Sequence, residues 1–200
     1  MANLPEILGI SCGVLSILAH LVYYFGAKNR LNNPNSTSWF VWAILASFNA
    51  WNFFALNQSG PLAFINLVGA VAGTTVFVVV LIIGRFDWPD PAEWWTLVVS
   101  LLALGVWKAF EKVEYGSGLL AIALIISFIP TWRVLLKGKE EDARPWLMWT
   151  VAYGLQVLAV YASSKGIWSY VVPLTCVVVH LLVPVFSWFA SGRKLASETV

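Results

Sequence analysis

Charge is scarce in this chain. Of its 200 residues, 11% are Asp, Glu, Lys or Arg, where an ordinary soluble domain carries about 25%. With 60% hydrophobic residues, a soluble fold would have to hide more apolar surface than a chain of this size can bury. Cysteine is scarce too. Cys12 and Cys176 both fall inside apolar stretches, which leaves no disulfide framework. Acid is missing where it would matter most: all ten Asp and Glu lie in loops or at the ends of apolar stretches. That argues against a carboxylate-based ion pump or proton antiporter, which needs an acid within the membrane. HExxH, GxSxG and P-loop motifs are absent, as is any cluster of metal ligands at useful spacing. The expectation is therefore no enzyme, no metal and no cofactor. A net charge of +2 gives no reason to expect nucleic acid as a partner.

What the chain has is long apolar runs. Seven stretches approach the roughly 20 residues that cross a hydrocarbon core of about 30 Å. They are Ile7–Gly26, Thr37–Leu56, Leu62–Gly84, Trp94–Phe110, Gly116–Leu136, Pro145–Ser163 and Ser169–Ala190. The sequence predicts an all-α integral membrane protein with seven transmembrane helices and a lipid bilayer as its first partner. No Lys or Arg precedes the first stretch and Glu6 does, so it is read as a span and not as a cleaved signal. With seven spans, Lys108, Lys112 and Lys165 fall on one side. The other nine basic residues (Lys28, Arg30, Arg85, Arg133, Lys137, Lys139, Arg144, Arg193 and Lys194) fall on the opposite side. The positive-inside rule then places the N-terminus outside and the C-terminus in the cytoplasm of a plasma (inner) membrane.

The chain also partly repeats itself. Trp39-Phe40-Val41-Trp42 opens the second stretch and Trp146-Leu147-Met148-Trp149 opens the sixth. The same shift of 107 residues carries Asn49 onto Gln156. The fourth stretch, Trp94–Phe110, has no counterpart. The layout expected is two parallel three-helix units, residues 1–90 and 113–200, joined by a connector helix over 91–112. A three-span unit ends on the opposite side from where it began, so one extra span gives both units the same orientation. Repeats of this kind bind solutes between their halves near the bilayer midplane.

Polar residues inside apolar spans are the candidates for function, because an unpartnered amide in an apolar medium costs several kcal/mol. They are His20, Asn49, Asn52, Asn66, Gln156 and His180. Each can serve either as a helix–helix hydrogen bond or as a contact to a solute. Gly69 and Gly73 follow Asn66 as a GxxxG face for close helix contact. His20 and His180 are candidates for proton linkage, since imidazole titrates near pH 6.5, and otherwise for neutral hydrogen bonding. Trp39, Trp88, Trp94, Trp95, Trp107, Trp146, Trp168 and Trp188 lie near span ends and are expected in the interfacial aromatic belt. Trp51 lies deeper and offers a face for stacking on a solute, while its counterpart at the 107 shift is Leu158. Pro130 and Pro173 each remove a backbone hydrogen bond within a span, and are either hinges or static bends.

The three-plus-one-plus-three layout resembles the SWEET sugar transporters and the wider PQ-loop group. Ile65-Asn66 through Gly69-Ala70-Val71 resembles the third helix of SWEETs, Pro130-Thr131 resembles the proline-containing end of their fifth, and Trp51 falls where that family has a pocket tryptophan. The chain departs from the pattern at Leu174, which follows Pro173 where the family has Asn, at Leu158, and at His20-Leu21. The resemblance implies a uniport-type, alternating-access transporter of a small neutral polar solute, a sugar among the candidates. Asn66, Trp51, Asn49, Asn52 and Gln156 would bind the solute, and Pro130 and Pro173 would act as hinges. The rival expectation is a non-transporting receptor, or an accessory subunit of a larger membrane complex, with Leu158, Leu174 and aromatic rings plugging the cavity. Homo-oligomerisation fits either.

Overall fold

Local signals set where the helices begin. At the first, the Asn3 side chain accepts from the Glu6 backbone N–H at 3.2 Å and the Glu6 carboxylate accepts from the Asn3 N–H at 3.3 Å, a reciprocal capping box. At the sixth, the Asp142 carboxylate caps by accepting from the Arg144 N–H at 3.0 Å. Gln58, with φ 52°, and Ser164, with φ 50°, take the left-handed conformation just past the second and sixth helices and end them. The computed structural model describes residues 3–29, 31–32, 36–82, 91–110, 112–138 and 141–198. Among these there are seven helices and no strands: α1 Leu4–Lys28, α2 Ser36–Asn57, α3 Gly60–Ile82, α4 Pro91–Phe110, α5 Val113–Leu136, α6 Ala143–Ala162 and α7 Trp168–Glu198.

The seven expected stretches thus correspond to the seven helices. Among the described residues, five are both long and apolar enough to cross a membrane: α1, α2, α3, α5 and the Trp168–Phe189 part of α7. The sixth helix is not among them. Its Arg144, Gln156, Tyr153 and paired tryptophans lower its hydropathy, although its 20 residues reach about 30 Å. The last helix runs on to Glu198, beyond the apolar boundary expected at Ala190. Ala, Leu, Lys and Arg are good helix formers whether or not an apolar face continues.

Polarity is inverted relative to a soluble protein. Leu18, Leu67, Val71, Ile122, Val151 and Val178 face outward, while Asn49, Asn52, Asn66, Ser117, Ser127 and Gln156 are buried. So large an apolar exterior is what a lipid environment accepts and water does not.

The helices pack as a closed ring in the order α1, α3, α2, α5, α7, α6 and back to α1. Within the ring, α1 packs on α3 as α5 packs on α7, and α2 packs on α3 as α6 packs on α7. Between the two groups, α1 meets α6 and α5 meets α2. Helix α4 lies outside the ring against α5 and α2. At one end, Phe53, Leu62, Ala63, Ala159 and Val160 form an apolar layer. Towards the other, Tyr23, Trp39, Phe128, Trp146 and Trp149 form an aromatic one. The GxxxG face of α3 meets α2 as expected: a Cβ on Gly73 would stand 3.6 Å from the Ala43 Cα, an ordinary contact. A tighter approach lies between the α1 and α3 backbones, where a Cβ on Gly9 would stand 2.5 Å from the Pro61 carbonyl oxygen.

Candidate functional site

A cavity of about 70 Å³ lies inside the ring, with lining residues from all six ring helices. On the scale of about 10–15 Å³ for one water, it holds roughly five.

The two WxxW segments meet at this cavity. Three residues apart on a helix puts both tryptophans of each segment on one face, and those faces turn inward. Ring centroids are 5.2 Å apart for Trp39 and Trp42, 5.9 Å for Trp42 and Trp146, and 5.2 Å for Trp146 and Trp149. Trp39 and Trp149 close the set at 6.4 Å. The interfacial belt expected for Trp39 and Trp146 is thereby corrected: they are 3% and 2% exposed and belong to the core. Being near a span end does not decide which face of the helix a residue occupies. Trp94, Trp95, Trp168 and Trp188 do lie on the outer surface. Trp88 and the side chain of Trp107 lie outside the described residues. Trp42 and Trp149, together with Phe128 and Tyr153, were not singled out as lining residues by their sequence context. The WxxW repeat was the signal available.

The lining aromatics are held by hydrogen bonds. Trp42 Nε1 donates to Ser127 Oγ at 3.0 Å, and Ser127 donates in turn to the Leu124 carbonyl at 2.7 Å. Trp39 Nε1 donates to the Tyr23 hydroxyl at 3.3 Å. Trp146 Nε1 is buried without an acceptor.

Two amides face the same space. Asn49 Nδ2, on α2, donates to Asn66 Oδ1, on α3, at 3.0 Å. The bond is single, so Asn49 Oδ1 and Asn66 Nδ2 are buried with no partner. Were both amides turned over, the pair would still leave one acceptor and one donor free. A buried polar atom without a partner costs about 1–3 kcal/mol, and both of these atoms are closed off as the helices pack.

Both histidines line the cavity, from α1 and α7. His20 Nδ1 lies 2.8 Å from the Ser16 carbonyl oxygen, and His180 Nδ1 lies 2.7 Å from that of Cys176. A carbonyl only accepts, so Nδ1 carries the proton in each ring and Nε2 is left as the acceptor in the neutral form. Trp149 Nε1 stands 3.3 Å from the His20 Nδ1. That nitrogen is already protonated, so this is a close approach and the indole N–H is not used there. A shift of 107 residues carries His20 onto Ser127 and Trp42 onto Trp149. The Trp42–Ser127 and Trp149–His20 contacts therefore correspond.

The remaining sequence candidates lie elsewhere. Asn52 Nδ2 donates to Ser117 Oγ at 3.0 Å and joins α2 to α5. Gln156 Nε2 donates to the Leu62 carbonyl at 3.1 Å and joins α6 to α3. Neither is among the residues that line the cavity. Trp51 is 56% exposed on the outer surface. Two residues beyond the inward-facing Asn49, it is turned about 200° round the helix. Leu158 has the same relation to Gln156 and is also exposed, as is Leu174. Pro130 and Pro173 are buried within α5 and α7, which continue unbroken through them.

Among the described residues, no three His, Cys, Asp or Glu side chains converge on a point that would hold a metal ion. Comparison with protein-family profiles, with curated proteins and with solved structures finds no match. The cavity is therefore interpreted from its own chemistry.

Proposed function

We propose that this chain is a membrane transporter for a small neutral polar solute, working by alternating access and without ion coupling. The observation that carries the proposal is a cavity inside the ring of six helices, lined by the Asn49–Asn66 amide pair and by aromatic rings, with no charged side chain among its described lining residues. Two matching sets of helix neighbours around that cavity support a reading as two three-helix units with α4 as connector, a layout that resembles the SWEET transporters. The N-terminus is read as outside. Leu158 and Leu174 face outward, so of the features expected of an accessory role only the aromatic rings are present at the cavity. The solute-binding set is narrowed to Asn49 and Asn66 with the lining tryptophans in place of Trp51. Asn52 and Gln156 are read as staples between helices. A cavity of about 70 Å³ suits a small solute. Pro130 and Pro173 remain the proposed hinges.

The test is uptake into proteoliposomes across sugars, polyols and heterocycles, comparing wild type with Asn66→Ala. Saturable uptake of one class, reduced at least tenfold in the variant and insensitive to a protonophore, is expected. If folded protein takes up none of them, the proposal fails and a receptor or accessory subunit takes its place.

A further inference from the structure

His20 and His180 supply the cavity with acceptors that the amide pair does not. Asn49 and Asn66 form part of the wall, but their unpaired atoms are closed off by packing, as is Trp146 Nε1. The two histidines are half-buried and line the cavity. His20 lies one turn from the buried Ser16 and Tyr23 on α1, and His180 one turn from the buried Cys176 and Val183 on α7. Both therefore belong to the inward-facing stripe of their helix, and the exposure they keep is toward the cavity. The bond at Nδ1 aims each ring. His20 Nδ1 donates to the Ser16 carbonyl at 2.8 Å and His180 Nδ1 to the Cys176 carbonyl at 2.7 Å. Each ring thus turns Nδ1 back to its own helix and Nε2 away from it. Among the described residues neither Nε2 has a hydrogen bond, and neither is among the unpartnered atoms closed off by packing. In the neutral ring this nitrogen only accepts.

The two acceptors open on one space. Helix α6 stands between α1 and α7 in the ring, and its Trp149 touches both imidazoles, with ring centroids 4.8 Å from His20 and 5.7 Å from His180. Across the ring from α7 is α3, whose lining residues Gly69 and Gly73 bring no side chain to that wall. No Asp, Glu, Lys or Arg is among the described lining residues, so nothing there balances a full charge on the solute. The volume of about 70 Å³, roughly five waters, limits the solute to a few heavy atoms. A solute with acceptors but no donors would set its lone pairs against those of the imidazoles. We propose that His20 and His180 are a solute-recognition pair, and that the solute they select is a small neutral molecule carrying at least two O–H or N–H donors, of the class of urea or a short polyol. The inference rests on the transport reading of the same cavity and names the chemistry of its solute.

The chain has only two histidines, so nitrogen NMR of the full chain, labelled with ¹⁵N-histidine and reconstituted in lipid, reports on these two rings alone. Uptake is followed on the same preparation by proteoliposome swelling. The probes are urea and glycerol, each with a partner of like size that has no donor: acetone for urea, 1,2-dimethoxyethane for glycerol. Both rings are expected to carry the proton on Nδ1, and both Nε2 signals to change saturably with urea or glycerol but not with the donor-free partners. His20→Phe and His180→Phe should each lower uptake about tenfold, while the Gln variants, which restore an acceptor, should stay within about threefold of wild type. The paired probes on wild type need no variant, so loss of folding in a variant leaves the comparison intact. Protons on Nε2, or equal changes with donor-bearing and donor-free probes, overturn the acceptor pair. Saturable uptake with no change at either histidine overturns the inference and leaves the transport reading standing. Changes at the histidines without uptake keep the site and overturn transport. Neither changes nor uptake with any probe overturns both.

Discussion

Asn32 and Asp142 are 110 residues apart in the chain and are joined by a hydrogen bond of 2.9 Å from the Asp142 backbone N–H to the Asn32 side-chain oxygen. The same amide donates to the Tyr23 carbonyl at 3.2 Å. Asn32 is buried, and it links the end of α1 to the start of α6 beside the aromatic layer of the cavity. Ser187 adds a contact from α7 to the Glu141 carbonyl at 3.4 Å.

Replacing Asn32 by Ala or Leu leaves the Asp142 backbone N–H without its acceptor and removes the side-chain donor to the Tyr23 carbonyl. A loss of about 1–3 kcal/mol is expected, read as a lower thermal midpoint of the protein in detergent. An unchanged midpoint would show that this link is not part of what holds the bundle together.

Two glycines of α1 should behave differently although they lie four residues apart on one face. A Cβ on Gly9 meets the Pro61 backbone, which cannot move without shifting α3, whereas a Cβ on Gly13 meets the Phe64 ring. Gly9→Ala should therefore destabilise more than Gly13→Ala, because a side chain can rotate away and a backbone cannot. The order of their melting midpoints checks this, and a reversed order would contradict it.

Residues that staple helices should separate from residues that meet the solute. Gln156→Leu and Asn52→Leu should lower stability by about 0.5–1.5 kcal/mol while leaving the apparent KM for uptake within about twofold of wild type. Trp51→Ala should change uptake little, since that side chain faces outward. A large rise in KM for any of the three would return that residue to the binding set.

The Asp142 carboxylate pairs with Arg144 at 2.7 Å, and these hydrogen bonds hold it below its ordinary value of 3.8. The folded state thus binds this proton less tightly than the unfolded chain does. The stabilisation is complete above the ordinary value and is lost as pH falls through the lower folded one. Asp142→Ala should cost about 0.5–2 kcal/mol at neutral pH through loss of the helix cap. The difference from wild type should shrink only under acid conditions below about pH 4. Melting curves of both proteins at neutral and acid pH measure it. A gap that stays constant to the lowest pH would mean the ionised carboxylate contributes nothing.

Much of the fold was legible in the chain because it follows from local composition. Twenty apolar residues must satisfy their own backbone hydrogen bonds when water is absent, so a helix is the outcome wherever such a run occurs. The same reasoning marked Asn49, Asn52, Asn66 and Gln156 as inward-facing, and all four are buried. It could not divide them by role. Asn49 and Asn52 lie one turn apart on one face of α2, and only the neighbouring helices send the first into the cavity and the second to Ser117 on α5. It placed Trp39 and Trp146 in a belt when they belong to the core, because tryptophan suits both surroundings. Composition determined seven apolar runs and an apolar exterior, and the chain itself carries the two WxxW segments 107 residues apart. Tertiary packing alone decided that those segments face each other across one cavity, because the rotation of each helix about its axis is set by contacts with helices distant in the chain.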